Sequence, residues 1–299
     1  MQRRQFLACA AGAVVSGDGL WAEPEKARSN GEDFIDLWQR ETDAVEASVY
    51  RKYMADADTR SLVSLEKLER GFERAVSEAR AAEIGATPGV WSIYNMGYIV
   101  KTKKSFFAID LVHRRAAELA KELDFALITH NHGDHCHMDL YRSMNAARKT
   151  VVSNFLDNYG VRDWNRQGGF TRAEKVFRFH DVEVRTSLVD HNAYLLDFTT
   201  AFEIRVGTWT MYHTGDCGVA SKLKTAWGKP DLWTFFPGCG IDVADAISRI
   251  RPKHLVFGHM WELAHDKGRL TAPLIRSALR KAQSVGVEPR VALWGERIA

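Results

Sequence analysis

Between Thr129 and His137 the chain reads THNHGDHCH, directly after the apolar run Phe125-Ala126-Leu127-Ile128. Four of its 11 histidines and one aspartate thus crowd the turn that leaves a single strand. Such a strand has to deliver its carboxyl end to a place where imidazoles and a carboxylate converge, and a cation makes that convergence favourable. In an extended segment His130 and His132 are two residues apart and project to the same side, so both can reach one ion. Asp134 and His135 are adjacent and diverge from that pair, which suits a second ion a few ångströms away, with Gly133 expected to permit the tight backbone path. The competing reading is a solvated histidine-rich turn, and the buried strand in front of it argues against that.

HxHxDH after a strand resembles the signature of the metallo-β-lactamase fold superfamily, and the later ligands this resemblance implies occur in order. Val189-Asp190-His191 supplies a third histidine for the first ion. Tyr212-His213-Thr214-Gly215-Asp216 resembles the family's TGD turn, whose aspartate bridges both ions, and Val256-Phe257-Gly258-His259 supplies the last histidine. The implied ligands are therefore His130, His132 and His191 for one ion, Asp134, His135 and His259 for the other, and Asp216 for both. The cofactor expected is a pair of divalent metal ions, zinc first, with manganese or iron also compatible with a mixed histidine and carboxylate set. Two such ions about 3.5–4 Å apart lower the pKa of a shared water and polarise a substrate oxygen. Asp134 is expected to orient the resulting hydroxide. Candidates for protonating the leaving group are His213, His137 and Glu262, in that order. His254 and His265 read as structural or exposed, and His113 and His180 carry no motif.

The fold class this implies is α/β, a four-layer αββα sandwich with the metal loops at one edge of two sheets, preceded by an N-terminal helical segment. Three regions are expected: a signal peptide over 1–22, the helical segment over 23–85 and the hydrolase domain over 86–299. Phe34, Trp38, Val45, Val49 and Tyr53, then Leu65, Leu68, Phe72 and Val76, recur at helical spacing and predict two helices within 31–82 that pack on their own domain. Strands are expected at 90–100, 105–111, 125–128, 150–153, 176–179, 182–188, 195–199, 202–206, 209–212, 232–236 and 254–257. Helices are expected at 114–123, 138–147, 242–250 and 273–284. Asp110, near a strand end, reads either as a carboxylate supporting a metal ligand or as a surface residue.

The first residues carry their own message. Arg3-Arg4-Gln5-Phe6-Leu7 resembles the twin-arginine export signal and precedes a short apolar stretch over 8–15, so a periplasmic protein cut near Ala22 is expected; the alternative is a basic terminus of a cytoplasmic protein. Cys136, Cys217 and Cys239 each lie beside a motif residue; they read as small buried residues, with a Cys217–Cys239 disulfide or a thiol near the metals as the sharper alternative.

At 299 residues and 45% hydrophobic the chain can bury a sizeable core, and no run of eighteen apolar residues predicts a membrane span. A net charge of only +3, with no basic run interleaved with aromatics, disfavours a nucleic-acid partner and leaves a small-molecule substrate. The histidine after the aspartate of HxHxDH, the Tyr-His lead into the TGD turn and the closing Arg251-Pro252-Lys253-His254-Leu255 strand most resemble the branch that includes ascorbate-6-phosphate lactonase-like enzymes and N-acyl-phosphatidylethanolamine phospholipase D. That implies a metal-dependent hydrolase of an ester, lactone or phosphodiester. A true β-lactamase is disfavoured because it lacks the bridging aspartate. The alternatives are a nuclease-type phosphodiesterase, a flavodiiron-like redox protein, or a metal-binding or partner-binding protein without catalysis.

Overall fold

The computed structural model describes residues 32–55, 62–155, 173–266 and 269–299. The expected signal peptide, and most of the irregular stretch expected after Ser153, lie outside the described residues. Two sheets form the centre. The first has the order β1-β2-β3-β4-β5, from β1 (Gly89–Ser92), β2 (Tyr98–Lys101), β3 (Phe106–Ile109), β4 (Phe125–Leu127) and β5 (Thr150–Val152). The second has the order β12-β11-β10-β9-β8-β7-β6, from β6 (Val176–Phe179), β7 (Val182–Val189), β8 (Thr199–Val206), β9 (Trp209–His213), β10 (Leu232–Phe235), β11 (His254–Phe257) and β12 (Arg290–Val291). Each sheet begins with antiparallel hairpins and ends in parallel pairs. The parallel pairs need crossovers, and helices supply them: α4 (Met138–Ala146) between β4 and β5, α5 (Val243–Ile250) between β10 and β11, and α6 (Ala272–Ser284) between β11 and β12.

Alternation along the strands explains the layering. Phe125 and Leu127 of β4 face Phe202, Ile204 and Leu232 in the core between the sheets, whereas Ala126 of the same strand faces outward into the core under the helices. In β10 Leu232 points inward and Trp233 outward. Each buried side chain of this size contributes about 1.5–3 kcal/mol, so a slip by one residue would exchange both cores and is strongly disfavoured. The result is the αββα arrangement expected of a metallo-β-lactamase sandwich.

Several local expectations need correction. The segment read as one strand over 90–100 is a hairpin, because Asn95 adopts a left-handed φ of 51° and the Tyr94-Asn95-Met96-Gly97 turn closes through Gly97 N donating to Tyr94 O at 2.7 Å. The helix expected over 114–123 is only a short 3₁₀ turn, Ala116–Leu119. The strand expected over 195–199 is a loop: Asn192 Oδ1 accepts from the N–H groups of Tyr194 and Leu195, and β8 starts only at Thr199. The two-residue β12 was not foreseen.

The N-terminal segment holds three helices, not two: α1 (Glu32–Asp43), α2 (Ala47–Met54) and α3 (Val63–Ala81). The first predicted helix breaks at Ala44, Val45 and Glu46, although its apolar spacing runs on. The helices pack on the sandwich by aromatic contacts: Trp38 lies against Trp261 and Trp294, with ring centroids 5.6 and 5.3 Å apart, and Tyr50 against Tyr94 at 5.3 Å. Among the described residues no helix is long and apolar enough to cross a membrane.

Candidate metal centre

Strand ends bring the candidate ligands together. β4 delivers His130, His132, Asp134 and His135, the end of β7 delivers His191, the end of β9 delivers Asp216 and the end of β11 delivers His259. The seven residues converge in two groups. One atom each of His130, His132, His191 and Asp216 lie within 4.8 Å of one another, and so do one atom each of Asp134, His135 and His259. His130 Nε2 is 3.1 Å from His132 Nδ1, and His259 Nε2 is 2.9 Å from Asp134 Oδ2. Asp216 stands between the groups. Its Oδ2 is 3.5 Å from His191 Nε2 and 3.6 Å from His259 Nε2, while its Oδ1 is 3.2 Å from His135 Nε2. Gly215 makes this turn with a φ of 50°, and a Cβ there would lie 2.7 Å from the Thr129 side chain. Gly133 has no such role: a Cβ there would meet nothing within 4 Å, so the expected tight path does not depend on it.

The donor set fits a pair of divalent cations. Asp134 and Asp216 are both buried, with histidines at the distances given above. Asp134 Oδ1, Asp216 Oδ1, His135 Nε2 and His191 Nε2 are buried with no hydrogen-bond partner. Polar atoms left so would each cost on the order of 1–3 kcal/mol, and shared cations would satisfy all four. Burial pushes the His130 imidazole well below its ordinary pKa, which keeps it neutral and able to ligate.

Residues behind the ligands fix their tautomers. Asp110 is fully buried; its Oδ1 accepts from Thr129 N at 2.7 Å, and its Oδ2 accepts from Thr129 Oγ1 at 2.6 Å and from His135 Nδ1 at 2.8 Å. Burial works against its charge, but the bonds from His135 and His213 hold the carboxyl well below the usual carboxylate range. With Nδ1 of His135 donating to Asp110, Nε2 is left with a lone pair for a metal. Thr129 Oγ1, having given its proton to Asp110, is 3.0 Å from His130 Nδ1 and holds that ring likewise. Asp110 is thus the supporting carboxylate of its two readings. Asn95 was missed altogether: its Nδ2 donates to Asp134 Oδ2 at 3.2 Å, and its carbonyl accepts from His259 N at 2.9 Å. The signal was Asn two residues before Gly within an apolar run, a hairpin pattern read as continuous strand.

The geometry corrects the choice of acid. His213 is fully buried, with Nδ1 2.7 Å from Thr234 Oγ1 and Nε2 3.3 Å from Asp110 Oδ2, so neither nitrogen is free for a leaving group. It supports Asp110 instead. His137 stands at the start of α4 and belongs to neither ligand group. Glu262, the third candidate acid, is buried. Cys136, Cys217 and Cys239 are free thiols, so the alternative disulfide is not formed; Cys239 Sγ lies 3.8 Å from His191 Nδ1 and 4.0 Å from Asp216 Oδ2.

Neither protein-family models nor curated proteins yield a match to this chain. Solved structures do. The metallo-β-lactamase fold protein YhfI of Bacillus subtilis superposes with a TM-score of 0.53 at 13% identity, covering 71% of this chain and 100% of its own. Igni18, described as a novel metallo hydrolase of the archaeon Ignicoccus hospitalis, gives 0.51 at 18% identity over 71% of this chain and 98% of its own. CmlA of Streptomyces venezuelae, a diiron β-hydroxylase, gives 0.51 at 14% identity, but the matched region spans only 54% of that protein. At these identities the likeness speaks for architecture: two packed sheets with ligand-bearing loops at one edge give this chain the metallo-β-lactamase fold.

Proposed function

We propose that the chain is a dinuclear metal-dependent hydrolase acting on a small ester, lactone or phosphodiester. The observation that carries this reading is Asp216, whose Oδ2 lies between His191 of one group and His259 of the other, with Oδ1 beside His135, amid a cluster of unpartnered buried polar atoms. Bound there, two divalent cations, zinc foremost with manganese or iron compatible, would supply Lewis acidity and a hydroxide-strength nucleophile near neutral pH. His130, His132 and His191 would hold one, Asp134, His135 and His259 the other, and Asp216 both. Asp134 keeps Oδ1 free of protein partners, which lets it accept a hydrogen bond from the attacking water and orient it. Asp110 and Thr129 keep His135 and His130 in the tautomers that present Nε2 to the centre.

The branch resembling ascorbate-6-phosphate lactonase-like enzymes and N-acyl-phosphatidylethanolamine phospholipase D is favoured by the residues around Asp134, His213 and His259. The description of Igni18 as a metallo hydrolase supports hydrolysis. The Arg3-Arg4 terminus supports export to the periplasm. A panel of lactones, phosphodiesters, thioesters and β-lactams, assayed with zinc-, manganese- and iron-loaded protein, tests the reading. Turnover of a lactone or phosphodiester well above that of a β-lactam is expected. A β-lactam as best substrate overturns the branch, and inactivity across the panel overturns hydrolysis.

A further inference from the structure

Beyond His259 the chain folds back along the centre. Trp261 adopts a left-handed φ of 62° and turns the loop inward, which buries Glu262. The Glu262 carboxylate accepts from the N–H groups of Ala264 and His265 and, at 3.2 Å, from the Tyr94 hydroxyl. His265 Nδ1 is 3.3 Å from Glu262 Oε1. One atom each of Asp134, Glu262 and His265 lie within 4.8 Å of one another, yet the His265 side chain is 55% exposed where that of Glu262 is 2% exposed. The loop is fixed from behind: Arg269 donates to the carbonyls of Thr42, Val45 and Leu263, and Asp266 Oδ1 accepts from Ala47 N at 2.9 Å. An imidazole therefore stands at the solvent rim of the Asp134, His135 and His259 group, on an anchored loop, without belonging to that group.

We infer that His265 protonates the leaving group in the hydrolysis proposed above, with Glu262 as its positioning residue. His213 is sealed behind Asp110, whereas His265 is open to solvent and beside the centre. Nδ1 stands 3.3 Å from Glu262 Oε1, which leaves Nε2 to carry the transferable proton. In the step, the oxygen of water bonds to the acyl carbon or phosphorus, and the bond from that centre to the leaving oxygen breaks. The electron pair stays on the leaving oxygen, which takes the Nε2 proton; the imidazole regains one from solvent, to which the attacking water has released its own.

The inference rests on the hydrolase reading, and the test separates the two. Rates are compared for 4-nitrophenyl butyrate, whose 4-nitrophenolate leaves unaided, and ethyl butyrate, whose alkoxide needs a proton; bis(4-nitrophenyl) phosphate and dimethyl phosphate serve if phosphodiesters are the substrates. His265→Gln should lower kcat/KM for the unactivated member of the pair by roughly 10²–10⁴-fold and for the activated one less than about threefold, with metal content unchanged. Glu262→Gln, which keeps an oxygen to accept the loop N–H groups, should show the same selectivity more weakly. Equal losses on both members, no loss on either, or loss of metal from His265→Gln would overturn the assignment. A wild-type protein inactive on every substrate would instead overturn the hydrolase reading itself.

Discussion

Replacing Asp110 by Asn tests whether one buried carboxylate sets the chemistry of both ligand groups. Asn tolerates the left-handed φ of 43° at this position, so the backbone is not strained. The side-chain oxygen that accepts from Thr129 N is best kept as oxygen, which puts the new amide N–H₂ where Oδ2 receives His135 Nδ1 at 2.8 Å. Two donors then face each other. His135 can relieve the clash only by moving its proton to Nε2, the nitrogen that faces Asp216 at 3.2 Å, and a protonated Nε2 cannot ligate. Loss of such a supporting carboxylate typically costs 10–100-fold in metal affinity, about 1.4–2.7 kcal/mol. His130 reaches Asp110 only through Thr129 Oγ1, whose oxygen still accepts, so the first group should be affected less. Competition with a chelator of known affinity, followed by elemental analysis, would resolve two dissociation constants. One should be weakened 10–100-fold and the other less than about fivefold; both unchanged within about twofold would show that Asp110 does not set the His135 tautomer.

Asp216→Ala should empty both metal positions and reduce turnover below detection, whereas loss of a single ion would show that the carboxylate does not bridge. Acid should loosen the N-terminal helices. Burial pushes His113 down to about 3 from 6.5, and Glu69, despite burial, is held at about 2 from 4.5 by Arg114, Tyr53 and Arg115. Both folded-state pKa values lie below the unfolded ones, so the stability they contribute is present above about pH 6.5 and is lost as pH falls toward 2. Tryptophan fluorescence of the Trp38, Trp261 and Trp294 cluster should report a transition in that window, and its absence in a Tyr53→Phe variant would show that the network acts together. For export, changing Arg3 and Arg4 to Lys should retain full-length precursor in the cytoplasm; unprocessed wild-type protein found only there would refute the signal reading.

The cluster of candidate ligands was legible because its spacing is local. His130, His132, Asp134 and His135 sit within six residues, and a two-residue offset after a strand already implies a shared side. Strand interiors were legible for the same reason, since β4 and β10 are short unbroken runs of buried residues and β7 alternates along most of its length between buried and half-buried ones. What escaped depends on contacts between distant segments. The Glu262 loop is shaped by Tyr94 and by the carbonyls of Thr42 and Val45, more than 160 residues away in sequence, so nothing near Glu262 announces that it is buried. Leu195 and Leu196 imitate the start of a buried strand, yet they are 36% and 64% exposed, because an asparagine turn and not burial sets that segment. His213 looked available from its place beside the TGD turn, and only the fold shows Asp110 and Thr234 closing on it.

The central claim is that two ions share Asp216. It is tested most directly by elemental analysis of protein reconstituted with zinc, manganese or iron and freed of loosely bound metal. Close to two transition-metal ions per chain are expected, falling toward none in Asp216→Ala. One ion or none in a fully active wild-type sample would contradict it.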